Sequence, residues 1–262
     1  MHKIIGTLAA ALVLTFGGGI ASAQSGYAWD GFYAGLGVGG ASTNACSNST
    51  LKGPSIDPTS TFSSCPSGGI VGGIQVGENF QTKRLVWGVG VDLDFMSAKD
   101  NNPTLTFAGP APPAGRYGSA GRVSPKDLAI VGARIGYAGD LLMPFLRAGG
   151  AFALGSQNSS LNYTPVGAAG PIASFSEGKN FASTGWVAGG GVEIGFNGAW
   201  SITAEYLHLS LGKGGNSTTT CAGTAVACTA FAGISLDSTH DAFTSNIFRI
   251  GINYWFNYWD KP

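Results

Sequence analysis

From Phe248 to Phe256 the chain alternates strictly between two kinds of residue. Phe248, Ile250, Ile252, Tyr254 and Phe256 share one parity, and Arg249, Gly251 and Asn253 share the other. Side chains in a β-strand point alternately to opposite faces, so this run presents one apolar face and one face of small or charged residues. The pattern recurs in eight runs, at about 32–40, 69–81, 85–97, 127–138, 141–154, 184–196, 199–211 and 248–256. In the third, Leu85, Trp87, Val89, Val91, Leu93 and Phe95 oppose Gly88, Gly90, Asp92 and Asp94; in the fourth, Val131, Ala133, Ile135 and Tyr137 oppose Gly132, Arg134 and Gly136. A strand with glycine or charge facing an apolar stripe suits a wall with lipid outside and a narrow polar lumen inside.

The connections alternate in length. Thr82-Lys83-Arg84, Gly139-Asp140 and Asn197-Gly198 are tight turns, whereas 41–68, 98–126, 155–183 and 212–244 are long and rich in Ser, Thr, Asn, Gly and Pro. Asn-Gly in particular favours a hairpin, because both residues adopt positive φ at low cost. Short turns on one side and long loops on the other are the outer-membrane arrangement. The expected fold is therefore all-β: an eight-stranded antiparallel up-and-down transmembrane β-barrel with long extracellular loops. The connecting segments themselves read as disordered.

Composition narrows the compartment. Lys3, an apolar stretch from Ile4 to Phe16 and the small-residue site Ala21-Ser22-Ala23 form a signal-peptide pattern. Residues 1–23 are expected to be cleaved, leaving 24–262 as one barrel domain exported to the outer membrane of a Gram-negative cell. Charge is sparse and even, with 14 basic and 14 acidic residues, which leaves no basic surface for nucleic acid. Beyond the signal region the longest apolar stretches are interrupted by Asp140, Arg147 or Glu193, so no segment reads as a membrane helix. A closed barrel is then the strand structure that satisfies every backbone group in lipid. Cys46, Cys65, Cys221 and Cys228 all fall in connecting segments. The most local of three connectivities pairs Cys46 with Cys65 and Cys221 with Cys228, and no histidine lies near either pair to suggest zinc.

An eight-stranded lumen is just wide enough to be filled by side chains. Parity places Asp92, Asp94, Glu193 and Glu205 inside, together with Arg134, Arg147 and Arg249. Four acids and three arginines in a narrow bore predict a polar network of charge-assisted hydrogen bonds rather than an ion path, since unpaired buried charge is costly.

The segments Gly185-Trp186-Val187-Ala188-Gly189-Gly190-Gly191-Val192-Glu193 and Trp200-Ser201-Ile202-Thr203-Ala204-Glu205-Tyr206-Leu207 form a distinctive hairpin. With Trp29-Asp30-Gly31-Phe32-Tyr33-Ala34-Gly35 and Arg249-Ile250-Gly251-Ile252-Asn253-Tyr254, it resembles the OmpA-like outer-membrane immunogenic (RopB-type) porin family of alphaproteobacteria. The resemblance implies an eight-stranded barrel, a surface-exposed antigen and a role in envelope integrity. It also implies contact with outer-membrane lipid, lipopolysaccharide and the barrel-assembly machinery. A few relatives are linked to haem binding or adhesion. One departure is the tail: such chains usually end at the aromatic residue closing the last strand, whereas Asn257 to Pro262 follow Phe256 here. Either the strand extends to Trp259 or a short tail follows it.

Little else carries chemistry. His208 and Ser210 share a strand face and resemble the His-x-Ser of lipid A deacylases, but the next residues are Leu211 and Gly212, and no acid follows before Asp237. A nucleophilic serine needs a base that a third group orients, so a histidine at the membrane interface is the better reading. Gly35 to Gly40 fits GxGxxG only because alternating glycines line the lumen; no helix follows. Trp29, Trp87, Trp186, Trp200, Tyr206, Tyr254, Trp255 and Trp259 are expected in interfacial girdles. The expectation is a non-enzymatic structural and surface protein with no cofactor and no metal. A narrow channel for ions or small solutes is the alternative. A third is a surface ligand (haem, host or phage) held by loops 41–68 and 212–244.

Overall fold

The structure is a computed structural model. It describes residues 27–44, 46–52, 61–64, 68–98, 105–109, 115–165, 169, 173–196, 198–213, 217–220, 235–240 and 242–256. The expected signal peptide, Cys65, Cys221, Cys228 and the tail 257–262 lie outside the described residues. In chain order the strands are β1 (Gly31–Asn44), β2 (Ser47–Lys52), β3 (Thr61–Ser64), β4 (Gly69–Thr82), β5 (Leu85–Ala98), β6 (Leu105–Gly109) and β7 (Gly115–Tyr137). They continue with β8 (Leu142–Pro165), β9 (Ala173–Phe196), β10 (Trp200–Lys213), β11 (Ser217–Thr220), β12 (Ser235–His240) and β13 (Ala242–Trp255).

Eight of them close a barrel. The ring runs β1, β4, β5, β7, β8, β9, β10, β13 and returns to β1, with each neighbour antiparallel. The seam joins the first strand to the last, from Tyr33 opposite Trp255 to Asn44 opposite Thr244. Closure leaves the ring no unpaired edge, as a wall surrounded by lipid requires. Lys83, with φ 57°, makes one tight turn, capped by Gln81 Nε2 donating to the Lys83 carbonyl at 2.8 Å, and Gly198, with φ 72°, makes another.

The outward parity is apolar and bare: Val38 is 62% exposed, Phe95 67% and Leu146 67%. Such a surface is tolerable only against lipid. On β5 the stripe from Leu85 to Phe95 rises about 25 Å when the strand is tilted by roughly 40°, which is the height of an outer-membrane apolar band. Among the described residues no helix is long and apolar enough to cross a membrane.

The structure corrects the sequence reading of strand ends and loops. Strands β7, β8 and β9 run far past the expected ends near 127, 154 and 184. The β8–β9 ladder continues from Gly155 opposite Phe181 to Tyr163 opposite Ala173. Above the lipid a ladder needs only backbone partners, so the apolar stripe stops while the strand does not. The loops are also not structureless. Segments of the first and last long connections form a second sheet, ordered β11-β12-β2-β3, in which β2 pairs with β12 from Ser47 opposite His240 to Lys52 opposite Ser235. Lys52 Nζ lies 2.6 Å from Asp237 Oδ2, and its hydrogen bond, with that of Thr218, holds the Asp237 carboxyl below the usual range. Cys46, just before β2, is disulfide-bonded; the proposed pairings lie outside the described residues.

Candidate functional site: the filled lumen

All seven charged residues placed inside by parity face the lumen, where they form two linked knots. Arg249 on β13 is the hub. Its Nη1 donates to both carboxylate oxygens of Asp94, at 3.0 and 2.9 Å. Its Nη2 donates to Asp92 Oδ1 at 3.0 Å and to Gln75 Oε1 at 3.4 Å, and its Nε donates to Glu205 Oε1. Arg147 on β8 takes the remaining oxygens, with Nη2 on Asp92 Oδ2 and Nη1 3.6 Å from Glu205 Oε2. The five charged side chains come from β5, β8, β10 and β13, so the cluster ties opposite walls together. Charge-assisted bonds shared by two guanidinium forks specify this geometry closely.

A second knot lies towards the periplasmic end. Arg134 Nη1 donates to Glu193 Oε2 at 3.0 Å and its Nε to Asn79 Oδ1 at 2.8 Å. Glu193 Oε1 also accepts from Ser201 Oγ at 2.5 Å and from Asn253 Nδ2 at 2.9 Å. Gln75 Nε2 donates to Asn253 Oδ1 and links the two knots. The face of the Arg134 guanidinium lies 4.4 Å from the Tyr33 ring centre and 5.9 Å from that of Trp255, a cation–π arrangement. Among the described residues, Arg134 Nη2 is the one buried side-chain nitrogen or oxygen without a hydrogen-bond partner. Glycine makes room for these long side chains: a Cβ at Gly73 would sit 2.5 Å from Asp94 Oδ1, and one at Gly77 2.5 Å from the Tyr33 hydroxyl.

The charged layer has an apolar lid on each side, and here the expectation of a polar lumen is corrected. Towards the cell exterior, Val71, Leu128, Ile130, Val187, Leu207, Leu209, Leu211, Phe243 and Ile247 form one buried cluster. Towards the periplasm, Tyr27, Trp29, Tyr33, Val86, Met143, Phe145 and Trp255 form another. Trp29 and Trp255, expected in the girdles, are instead 0% and 1% exposed inside the mouth. Parity could have placed Trp255, which shares the face of Arg249 and Asn253. Trp29 lies before the first strand, where alternation says nothing. Trp87, Trp186, Trp200 and Tyr206 do face outward, while Trp259 is outside the described residues.

His208 and Ser210 point outward too. The His208 ring lies 5.5 Å from that of Trp186, and its Nδ1 is 2.7 Å from Asn246 Oδ1. The acid that a serine nucleophile would need is not supplied there, because the partner is an amide.

A closed eight-stranded barrel with an apolar outer band and a filled interior defines the class: a small outer-membrane β-barrel protein. The chain belongs to the outer membrane protein beta-barrel domain family, whose model matches residues 9–256. It is 29% identical over 198 residues to the 31 kDa outer-membrane immunogenic protein of Brucella melitensis biotype 1, covering 71% of this chain and 73% of that protein. The protein of the same name from Brucella suis biovar 1 matches to the same extent. The resemblance read from the hairpin and the terminal strands is thus to the family the comparisons find. Among solved structures the chain is similar to Neisserial surface protein A, with 13% identity, TM-score 0.35 and coverage of 86% of this chain and 97% of that one. It is also similar to OprG of Pseudomonas aeruginosa, with 9% identity, TM-score 0.42 and coverage of 90% and 100%.

Proposed function

We propose that the protein is a non-enzymatic, surface-exposed structural element of the outer membrane that contributes to envelope integrity and serves as a surface antigen. The observation that carries this reading is the lumen. An apolar cluster, a charged layer and an aromatic cluster follow one another along the bore. Guanidinium and carboxylate groups already bonded to each other are poor partners for a passing ion, and an apolar layer above them excludes its hydration shell. Above the membrane, the pairing of β2 with β12 holds segments of two loops in one sheet. That gives an antibody or another surface ligand a folded target through loops 41–68 and 212–244. Outer-membrane lipid, lipopolysaccharide and the assembly machinery are the partners this role requires.

Planar-bilayer recording tests it. The purified full chain should give no reproducible, ion-selective opening steps at moderate voltage. Steady openings of uniform conductance would replace this reading with that of a narrow channel.

A further inference from the structure

At the outer end of three adjacent strands the alternation changes sides. On β10, Tyr206-Leu207-His208-Leu209-Ser210-Leu211 keeps its backbone register, yet the leucines turn into the lumen and the polar residues turn out. On β13, Ile247 and Phe243 turn in, while Asn246 and Thr244 turn out. On β1 the outward residues become Ser42 and Asn44. Ladder pairing sets His208 beside Asn246 and Asn246 beside Ser42, with Ser210, Thr244 and Asn44 in the next row. Ten residues along the strand from the periplasmic-end residues Phe80, Leu85, Leu142 and Phe196, four of the other five walls carry Ile70, Phe95, Phe152 and Trp186. The fifth, β7, carries Asp127 opposite Phe95, so the polar run of β10, β13 and β1 lies at the upper rim of the apolar band, where β4, β5, β8 and β9 still present apolar residues.

This polar notch is organised rather than merely hydrophilic. Tyr206 donates its hydroxyl hydrogen to Asn246 Oδ1 at 2.8 Å. The same oxygen lies 2.7 Å from His208 Nδ1, and an amide oxygen only accepts, so Nδ1 carries the hydrogen. The trio consumes neither His208 Nε2 nor the Asn246 amide nitrogen, one nitrogen on the far edge of the ring and one able to donate. Trp186, 52% exposed, presents its indole next to the His208 ring. An exposed aromatic plate beside amide and imidazole groups is the combination that holds a sugar: the ring covers its C–H face, and the polar groups meet its hydroxyls. On the outward surface of a barrel at this height, the sugars within reach belong to outer-leaflet glycolipid.

We infer that Trp186, Tyr206, His208 and Asn246 form a seat for the sugar headgroup of an outer-leaflet glycolipid. The inference rests on the lipid-contact part of the proposed function and names where that contact is specific. To test it, the full chain is folded into vesicles of phosphatidylcholine alone, phosphatidylcholine with lipopolysaccharide, and phosphatidylcholine with phosphatidylglycerol. Thermal unfolding is followed by the heat-modifiable shift in gel mobility. Lipopolysaccharide should raise the midpoint by about 2–4 °C, the change expected when the equivalent of one net hydrogen bond is gained in a chain of this size. H208A/N246A and W186L should each keep less than half of that rise, while F152A on another wall keeps all of it. Y206F, which loses one hydroxyl and leaves the ring, provides the comparison if the double variant does not fold. The midpoint in phosphatidylcholine alone reports the barrel itself, so a defect of fold separates from a defect of the seat. An undiminished rise in H208A/N246A, or in Y206F where that variant substitutes for it, would overturn the proposal. So would an equal rise with phosphatidylglycerol, because the recognised group would then be a phosphate.

Discussion

Arg249→Ala should destabilise the folded barrel by about 3–5 kcal/mol, the cost of removing one partner from a buried ionic cluster. Arg249 engages Asp92, Asp94 and Glu205 at once, and its side chain is 5% exposed. Without it three carboxylates face one another across the bore, and Arg147 reaches only two of them. Water cannot replace the lost cation easily, because the apolar cluster lies above the charged layer and the aromatic cluster below. The effect should appear as a lower urea midpoint for vesicle-inserted protein. Neutralising the acids in the same background tests the cause. R249A/D94N/E205Q should recover more than half of the loss, since nearly isosteric neutral groups remove the repulsion and keep the volume. If the triple variant is as weak as R249A, the damage lies in lost packing of the arginine stem rather than in uncompensated charge.

How much of this cluster was legible follows from how it is built. Asp92, Asp94, Arg134, Arg147, Glu193, Glu205 and Arg249 each sit between apolar neighbours in the lipid-facing stretch of their strand, so their shared face could be read directly. Their partners could not. That Arg249 meets Asp94 depends on stagger between β5 and β13, which are not adjacent in the ring, and alternation within a strand carries no stagger. The outer lumen was obscured for a different reason. Equating apolar with outward works only while lipid is outside; at Leu207 and Ile247 the apolar parity moves to the lumen although the β10–β13 register is continuous from Trp200 to Ser210. The strands above the membrane escaped notice because their pairing is held by backbone groups, which every residue except proline supplies in full. The hydrophobic pattern therefore located the membrane's outer edge and was silent above it.

Trp29→Ala should cost about 3–5 kcal/mol, in the range for deleting a buried aromatic side chain, and should also open the periplasmic mouth. Residues 27–30 cross the bore before β1 begins, and their anchors lie on opposite walls. Tyr27 N donates to the Asp140 carbonyl at 2.7 Å and its hydroxyl to the Trp200 carbonyl at 3.0 Å. Trp29 N donates to Gln81 Oε1 at 2.9 Å, its indole Nε1 donates to the Gly139 carbonyl at 3.3 Å, and its own carbonyl accepts from Asn79 Nδ2 at 3.0 Å. The indole fills the mouth between Tyr27, 4.5 Å away between ring centres, and Trp255, 6.3 Å away. Asn79 also accepts from Arg134, so the strap is coupled to the charged layer it covers. Gly195 offers an independent handle: a Cβ there would lie 2.3 Å from Tyr27 Cδ2, so G195A should expel the Tyr27 ring while sparing Trp29. Both variants should make the segment around residue 27 a substrate for protease added from the periplasmic side, and W29A should also lower the urea midpoint. The wild-type strap should resist cleavage until the barrel itself unfolds. Equal cleavage of all three proteins would show that the strap does not close the mouth, and the seal would then rest on Tyr33, Val86, Met143, Phe145 and Trp255.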